Sequence, residues 1–263
     1  MFDVSTVPLL EIGDLTLADI LPFLLIGFAA QLIDGALGMA FGVISQTLLV
    51  SVGVPPAAAS ASVHLVEVFT TGASGTSHIV QRNVDWSLFK RLVPFGIAGG
   101  VAGAYLLSNI DASVARPFVM AYLAIIGLLL LYRAIKLSKP RFEDPKTTRP
   151  LALVGGFLDA AGGGGWGPVV TSNLLIQGGD PRRIVGTVNT AEFLLALSVS
   201  IAFIASLGLA AFTVATVGLI IGGVIAAPLG AMLVKRVRPR LLLGAVAVIL
   251  IATSTYSIVQ AFG

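Results

Sequence analysis

The chain alternates between long apolar stretches and short polar connections. The apolar stretches cover residues 21–50, 56–80, 88–107, 115–135, 151–177, 181–207, 210–234 and 240–262. A helix needs about 20 predominantly apolar residues to cross the hydrocarbon core of a bilayer, and each of these stretches reaches that length. The pattern therefore predicts an all-α polytopic membrane protein.

The composition agrees with this prediction, because 56% of the 263 residues are hydrophobic and only 11% are charged. Soluble domains carry about 25% charged residues, so the chain has too few charges to cover a water-facing surface, which excludes a soluble enzyme. The net charge of +3 fits the excess of Lys and Arg in the cytoplasmic loops of membrane proteins and does not indicate nucleic-acid binding. The absence of cysteine excludes disulfides, thiolate metal sites and a cysteine nucleophile.

Two charged segments divide the chain. Residues 1–20 carry four acidic and no basic residues. A secretory signal peptide begins with a basic region, so none is predicted here. A second charged segment, residues 136–149, is predicted to be a cytoplasmic linker between a first repeat, residues 21–135, and a second repeat, residues 150–263.

The two halves of the chain resemble each other in sequence. A shift of 125 residues superimposes residues 34–71 on residues 159–196 without a gap. The matched positions include Asp34 with Asp159, Pro56 with Pro181, and Glu67 with Glu192. A further match, at a shift of 123, pairs residues 99–101 with residues 222–224. The recurrence of Asp, Pro and Glu at one register predicts two repeats of a transporter-like core.

The first and fifth apolar stretches contain glycine-rich sequence near their middle. Each glycine costs about 1 kcal/mol in a helix interior, so the four consecutive glycines at 162–165 are predicted to break the helix. Pro168 suits the first turn of a new helix after the break. Asp34 and Asp159 lie just before the two glycine-rich segments, where each could cap the following half-helix.

The distribution of Lys and Arg decides between a crossing and a re-entrant path for the two broken stretches. If all eight stretches crossed the bilayer, nine basic residues would lie on one side and seven on the other, against the cytoplasmic bias of such residues. If the broken stretches form re-entrant hairpins, fifteen of the sixteen lie on one side and only Arg116 on the other. The sequence therefore predicts two inverted repeats, each with a re-entrant helical hairpin and three transmembrane helices, and both termini outside.

Four acidic residues are predicted at membrane depth, namely Asp34, Glu67, Asp159 and Glu192. An ionisable side chain at the bilayer centre costs about 2.5–3.5 kcal/mol, which makes these residues candidates for proton coupling. The alternative is a structural role, as helix caps for the two aspartates and as neutral, hydrogen-bonded carboxyls for the two glutamates. His64 lies three residues before Glu67 on the same helical face, but Asn189 takes its place in the second half, and no metal site is predicted.

The two half-helix starts are predicted to form an anion site. A helix N-terminus carries unpaired N–H groups and about half an elementary positive charge, and no Lys or Arg lies deep in any apolar stretch. The alternative is that the glycines only permit close helix packing. The candidate substrate-binding residues are Gly38, Ser45, Gln46, Ser62, His64, Gly163, Gly164, Gly165, Thr171, Ser172, Asn173, Thr187 and Asn189.

The glycine-rich segments at residues 34–38 (DGALG) and 159–165 (DAAGGGG) resemble the TauE/SafE sulfite exporter family. The sequence VDW at residues 84–86, ahead of the glycines within 96–103, is similar to the same family. The resemblance implies a multi-pass protein of a bacterial-type inner membrane that moves sulfite, sulfoacetate, related organosulfonates or other sulfur-containing anions outward. The sequence departs from the family pattern at Leu37, Met39 and His64.

We therefore expect a secondary transporter that exports small sulfur-containing anions through a central site. The bilayer and the anion are its expected partners, a homodimer is an expectation from the general frequency of dimers, and no cofactor is expected. Proton-coupled uptake of the same anions and transport of a divalent cation on the acidic residues remain alternatives. The sequence has no Ser/His/Asp pattern, no HExxH motif and no large soluble domain, so an enzyme is not expected.

Overall fold

The computed structural model describes residues 17–37, 39–135, 145–177, 180–209, 214–233 and 239–262. Three sequence predictions therefore fall wholly or mainly outside the described residues: the acidic N-terminal segment (1–20), most of the charged linker (136–149), and Gly38. All regular structure within the described residues is helical, which confirms the all-α prediction.

The helices follow the apolar stretches, but the first and fifth stretches are each divided. The described helices are α1 (Leu17–Leu37), α2 (Phe41–Ser51), α3 (Pro56–Val80), α4 (Trp86–Ser108), α5 (Ala112–Ile135), α6 (Arg149–Gly162), a π-helix (Trp166–Thr171), α7 (Ser172–Ile176), α8 (Pro181–Leu207), α9 (Val214–Leu233) and α10 (Pro239–Phe262). Within the described ranges, the helices over residues 86–108, 112–135 and 182–207 are both long and apolar enough to cross a bilayer.

Local sequence explains where several helices begin. Asp85 caps α4, because its side chain accepts hydrogen bonds from the backbone N–H groups of Ser87 and Leu88. Asp180 caps α8, because its side chain accepts a hydrogen bond from the backbone N–H group of Arg182. Proline at the first position of α3 and of α8 removes an N–H group that would have no intrahelical partner there. These residues determine where α3, α4 and α8 begin.

Helices from the two halves of the chain pack against each other in matching pairs. Helix α1 packs on α9 and α4 on α6, while α3 packs on α8 and α5 on α10. If the halves are exchanged, so that α1 takes the place of α6 and α4 that of α9, the set of pairs stays the same. The packing therefore has the symmetry that a duplicated core would have.

Glycines allow two of these pairs to pack with their backbones very close together. A Cβ atom on Gly99 of α4 would lie 2.0 Å from the carbonyl oxygen of Leu153 on α6. A Cβ atom on Gly222 of α9 would lie 2.0 Å from the carbonyl oxygen of Leu24 on α1. Small residues permit such close approach between membrane helices. The sequence match between residues 99–101 and 222–224 therefore reflects equivalent helix contacts in the two halves.

Candidate functional site

Asp159 holds both sides of the break between α6 and the π-helix. Its backbone carbonyl accepts the N–H groups of Gly163, at 2.8 Å, and Gly164, at 3.1 Å. Its carboxylate Oδ1 accepts the N–H groups of Gly165, at 2.7 Å, and Trp166, at 2.9 Å. Gly163 and Gly164 have φ angles of +76° and +150°, a region that glycine enters without steric cost. One residue thereby fixes the backbone at four consecutive positions, three of which are glycines.

Asp34 makes the same contact at the break between α1 and α2. Its Oδ1 accepts the N–H groups of Ala40, at 2.6 Å, and Phe41, at 3.0 Å. In both halves the donors follow the aspartate by six and seven residues. The chain's own carboxylates therefore engage the N–H groups at the half-helix starts, and an anion can reach those groups only if an aspartate moves away.

The two ends of the second broken segment lie side by side. The backbone N–H of Thr147 donates to Oε1 of Gln177 at 3.0 Å, and Nε2 of Gln177 donates to the Thr147 carbonyl at 3.4 Å. These two positions are 30 residues apart in sequence, and α6, the π-helix and α7 lie between them. The two ends of the second broken segment are therefore close together in space.

Helix α5 supports the second break from one side. The hydroxyl of Tyr122 donates to the carbonyl of Gly164 at 3.0 Å, and Nη1 of Arg133 donates to the carbonyl of Pro168 at 3.2 Å. Pro168 has no N–H group, and the chain around it forms a π-helix rather than an α-helix. Side chains of α5 thus satisfy two carbonyl groups of this irregular segment, as buried non-helical backbone requires.

The two breaks touch each other through their backbones. A Cβ atom on Gly164 would lie 2.6 Å from the backbone nitrogen of Val43, and one on Gly167 would lie 2.9 Å from Cα of Met39. The side chain of Gln46 fills the space that a Cβ atom on Gly163 would need. No larger residue fits at these glycines without separating the breaks.

A small cavity lies where the breaks meet, and both halves of the chain line it. The lining residues are Asp34, Met39, Ala40, Phe41, Gly42, Val43, Glu67, Thr70, Thr71, Asp159, Gly164, Gly167, Pro168 and Glu192. All four predicted acidic residues are among them, and none of these lining residues is Lys or Arg. The space open to the centre of a water molecule is about 20 Å³, which holds about one water.

His64 lies behind Asp159 and is absent from the residues that line this cavity. Its Nδ1 is 2.8 Å from the carbonyl oxygen of Ser60, and its Nε2 is 3.2 Å from Oδ2 of Asp159. The hydroxyl of Ser60 donates to the carbonyl of Ala160 at 2.7 Å. Two polar side chains of α3 therefore join this helix to the end of α6. His64 contacts Asp159, which lines the cavity, but does not line the cavity itself.

Two predicted binding residues connect helices instead of lining the cavity. The hydroxyl of Ser62 is 2.7 Å from that of Thr216 on α9. The hydroxyl of Thr187 accepts the backbone N–H of Asp85, next to the start of α4, at 2.8 Å. Ser62 and Thr187 are matched positions of the two halves, and each ties its helix to the start of another.

The two predicted asparagines also bond within the bundle. Nδ2 of Asn189 donates to the hydroxyl of Ser74 on α3 at 3.1 Å. Nδ2 of Asn173 donates to the carbonyl of Val169, four residues earlier, at 2.7 Å. Both asparagines lie away from the described cavity.

The remaining polar candidates lie on the half-helices that follow the breaks. The buried hydroxyls of Ser45 and Thr171 have no hydrogen-bond partner among the described residues. The hydroxyl of Ser172 lies 3.5 Å from Sδ of Met39 and 3.4 Å from the carbonyl of Gly167. Of the candidate substrate-binding residues, only Gly164 lines the described cavity.

The sequence prediction missed several residues that line the cavity. Thr70 and Thr71 follow Glu67 by three and four residues, so they lie on its helical face, and this spacing could have identified them. Gly42 and Gly167 occupy matched positions at the 125-residue shift, and both line the cavity. The repeat alignment was therefore a sufficient signal for these two glycines.

Comparison with known proteins identifies the family of the chain. The family model described as "Sulfite exporter TauE/SafE" matches residues 23–257. The chain is 46% identical over 228 residues to a protein of Bacillus subtilis (strain 168) described as "Probable membrane transporter protein YtnM", and the match covers 84% of this chain and 76% of that protein. No solved structure matches the chain. The resemblance predicted from the glycine-rich motifs is thus confirmed, and the chain is an integral membrane transporter that belongs to the TauE/SafE sulfite exporter family.

Proposed function

We propose that this transporter exports small sulfur-containing anions, namely sulfite, sulfoacetate or related organosulfonates, through the cavity between the two breaks. The observation that carries the proposal is that one cavity is lined by both breaks and by matched residues of both halves. Transporters built from repeats bind their substrates at such an interface, next to half-helix termini. The family description supports a sulfur oxyanion as the substrate class.

The described cavity is closed to such a substrate. About 20 Å³ of space holds a single water, so a sulfite ion requires the breaks to separate. Val43 and Gly164 lie on opposite broken segments and are in close contact, and this contact must open for an anion to enter. Rocking of the two halves, or movement of one broken segment against the other, would produce this opening.

The membrane potential favours the outward direction. With the inside negative, each negative charge that leaves gains about 2.3 kcal/mol per 100 mV, and a dianion gains about 4.6 kcal/mol. Export therefore requires no coupled ion, whereas uptake of a dianion requires two or more coupled cations. Glu67 and Glu192 line the cavity and are the proposed proton carriers if coupling occurs.

A second candidate function follows from the charge of the cavity. Four carboxyl side chains line it without a basic partner among the lining residues, and carboxylates are the ligands that hard divalent cations prefer. Transport of a divalent cation is therefore the alternative to anion export, and the two predict fluxes of opposite charge.

Flux through proteoliposomes separates these functions. Vesicles loaded with labelled sulfite, sulfoacetate or Mn²⁺ would be followed with and without a pH gradient. We expect sulfite or sulfoacetate to leave faster than from protein-free vesicles, with no protein-dependent Mn²⁺ flux. Mn²⁺ flux without anion flux would reject the proposal.

Glu67→Gln and Glu192→Gln test the proposed proton carriers. If protonation of these carboxyls accompanies transport, the amides remove the acceleration of flux by a pH gradient, because glutamine binds no proton in this range. The measurement is the ratio of flux with and without the gradient. Asp111→Asn, at an exposed position between α4 and α5, is the matched control and should keep the wild-type ratio. A wild-type ratio in both glutamine variants would make the two glutamates structural.

We also propose that the two broken segments are re-entrant hairpins, which gives six membrane crossings, inverted repeats and both termini outside. The adjacent ends of residues 147–177 and the grouping of fifteen basic residues on one side support this arrangement. The cysteine-free chain permits a direct test with Lys146→Cys, Arg183→Cys and Ser206→Cys. An impermeant thiol reagent should label the first two from the cytoplasmic side and the third from the opposite side. Labelling of the first two from different sides would mean that the second broken segment crosses the membrane.

A further inference from the structure

We propose that His64, Glu67 and Asp159 form a binding site for one divalent transition-metal ion of the Zn²⁺ class. One nitrogen of His64 and one carboxylate oxygen from each acidic residue lie within 4.8 Å of one another, and all three residues are buried. The site shares Glu67 and Asp159 with the proposed transport cavity, but metal binding can be measured without any flux.

The hydrogen bonds of His64 determine which ring nitrogen is free to bind a metal ion. Its Nδ1 faces the carbonyl oxygen of Ser60 at 2.8 Å, and a carbonyl can only accept, so Nδ1 carries the proton. A neutral ring then presents the lone pair of Nε2 to Oδ2 of Asp159 at 3.2 Å. Two lone pairs at this distance repel each other unless a proton or a metal ion lies between them.

The spacing of these two atoms fits a shared metal ion. Zn²⁺ binds imidazole nitrogen and carboxylate oxygen at about 2.0–2.2 Å, so two ligands of one tetrahedral ion lie about 3.4 Å apart. The observed distance between Nε2 of His64 and Oδ2 of Asp159 is 3.2 Å. Only the Glu67 carboxylate needs to move closer for the three groups to bind one ion.

Glu67 provides the independent observation that favours a metal ion over a shared proton. Its Oε2 is buried and has no hydrogen-bond partner among the described residues, and the side chain is only 5% exposed. A proton shared by His64 and Asp159 would leave this oxygen unpaired, at a substantial energetic cost. A metal ion would bind all three side chains.

Charge and surrounding contacts suit a divalent ion. One neutral imidazole and two carboxylates neutralise a 2+ charge, which matters at membrane depth. The Ser60 carbonyl orients His64, and the N–H groups of Gly165 and Trp166 hold the other oxygen of Asp159, as partners of metal ligands commonly do. Three protein ligands leave a fourth position open.

Among its described residues, the second half of the chain has no equivalent cluster of metal-binding side chains. Asn189 takes the position of His64, and its side-chain amide donates to the hydroxyl of Ser74. We therefore expect one ion for each chain.

The test is Zn²⁺ titration of the full-length protein in detergent, after treatment with a chelator, by calorimetry and by the visible absorption of Co²⁺ as a tetrahedral probe. We expect one saturable site, and binding weaker by at least about 10–100-fold in His64→Asn and Glu67→Gln, because loss of a ligand costs no less than loss of an outer-shell partner. His78→Asn removes the other histidine of the chain and should bind as the wild type does. Thermal unfolding verifies that each variant is folded. If His64→Asn does not fold, Glu67→Gln still tests the site.

The proposal is overturned if the wild type shows no saturable Zn²⁺ site, or if both ligand variants bind as tightly as His78→Asn. Either result would leave a shared proton as the explanation of the contact between His64 and Asp159. Neither result bears on anion flux, which the proteoliposome experiment measures separately.

Discussion

Asp159→Ala is expected to destabilise the protein by about 2–6 kcal/mol and to abolish transport. The substitution leaves the buried N–H groups of Gly165 and Trp166 without their carboxylate acceptor. Each unsatisfied buried group costs about 1–3 kcal/mol. The midpoint of denaturation in detergent, together with sulfite flux, measures the two effects.

Two further variants isolate the cause. Asp159→Asn keeps an oxygen that can accept from both N–H groups, so we expect near-wild-type stability, with any change in transport due to the lost charge. Asp85→Ala removes a cap with the same two-donor geometry at the start of α4, where the Ser87 donor is exposed, and should cost about 1 kcal/mol. If Asp159→Ala is no more destabilising than Asp85→Ala, the break does not depend on this carboxylate.

Gly164→Ala is expected to reduce transport at least tenfold. The added Cβ atom would lie 2.6 Å from the backbone nitrogen of Val43 and 2.9 Å from its Cα, and backbone atoms cannot move aside as a flexible side chain can. Overpacking of this kind costs about 1–3 kcal/mol, and the φ angle of +150° adds strain. The two breaks must therefore separate, which changes the cavity that they enclose. Initial flux at equal protein density measures the effect.

Gly208→Ala is the matched control for this variant. Gly208 also has a positive φ angle, +74°, but apart from its chain neighbours no heavy atom of the described residues lies within 4 Å of its Cβ position. The control therefore carries the cost of backbone conformation, about 1–3 kcal/mol, without a contact between the breaks. Equal transport by Gly164→Ala and Gly208→Ala would show that the contact has no role in transport.

Composition and hydropathy were sufficient to predict the helical class and the position of most helices. The second break could be predicted because four consecutive glycines are incompatible with a stable helix interior, and α6 ends at Gly162. The role of Asp34 and Asp159 was left open between a cap and a proton carrier. The structure reveals their bonds to the half-helix starts, which a single sequence only suggests.

The orientation of polar side chains on α3 and α8 could not be predicted. Both helices are surrounded by other helices, so burial does not distinguish a face towards the cavity from a face towards a neighbour. Ser62 and Thr187 contact neighbouring elements. His64 contacts Asp159, which lies between His64 and the cavity. The four acidic residues were candidates from the sequence because charge at membrane depth is costly wherever it faces lipid, and the structure places all four around one cavity.

Voltage-driven efflux of labelled sulfite from proteoliposomes tests most directly whether an anion crosses through the cavity between the breaks. Vesicles with an imposed inside-negative potential would be compared with vesicles at zero potential, for the wild type and for Gly164→Ala. We expect the potential to accelerate efflux by the wild type, because each leaving negative charge gains about 2.3 kcal/mol per 100 mV, and efflux to fall at least tenfold in Gly164→Ala. Sulfite efflux no faster than from protein-free vesicles, or efflux unaffected by Gly164→Ala, would contradict this account.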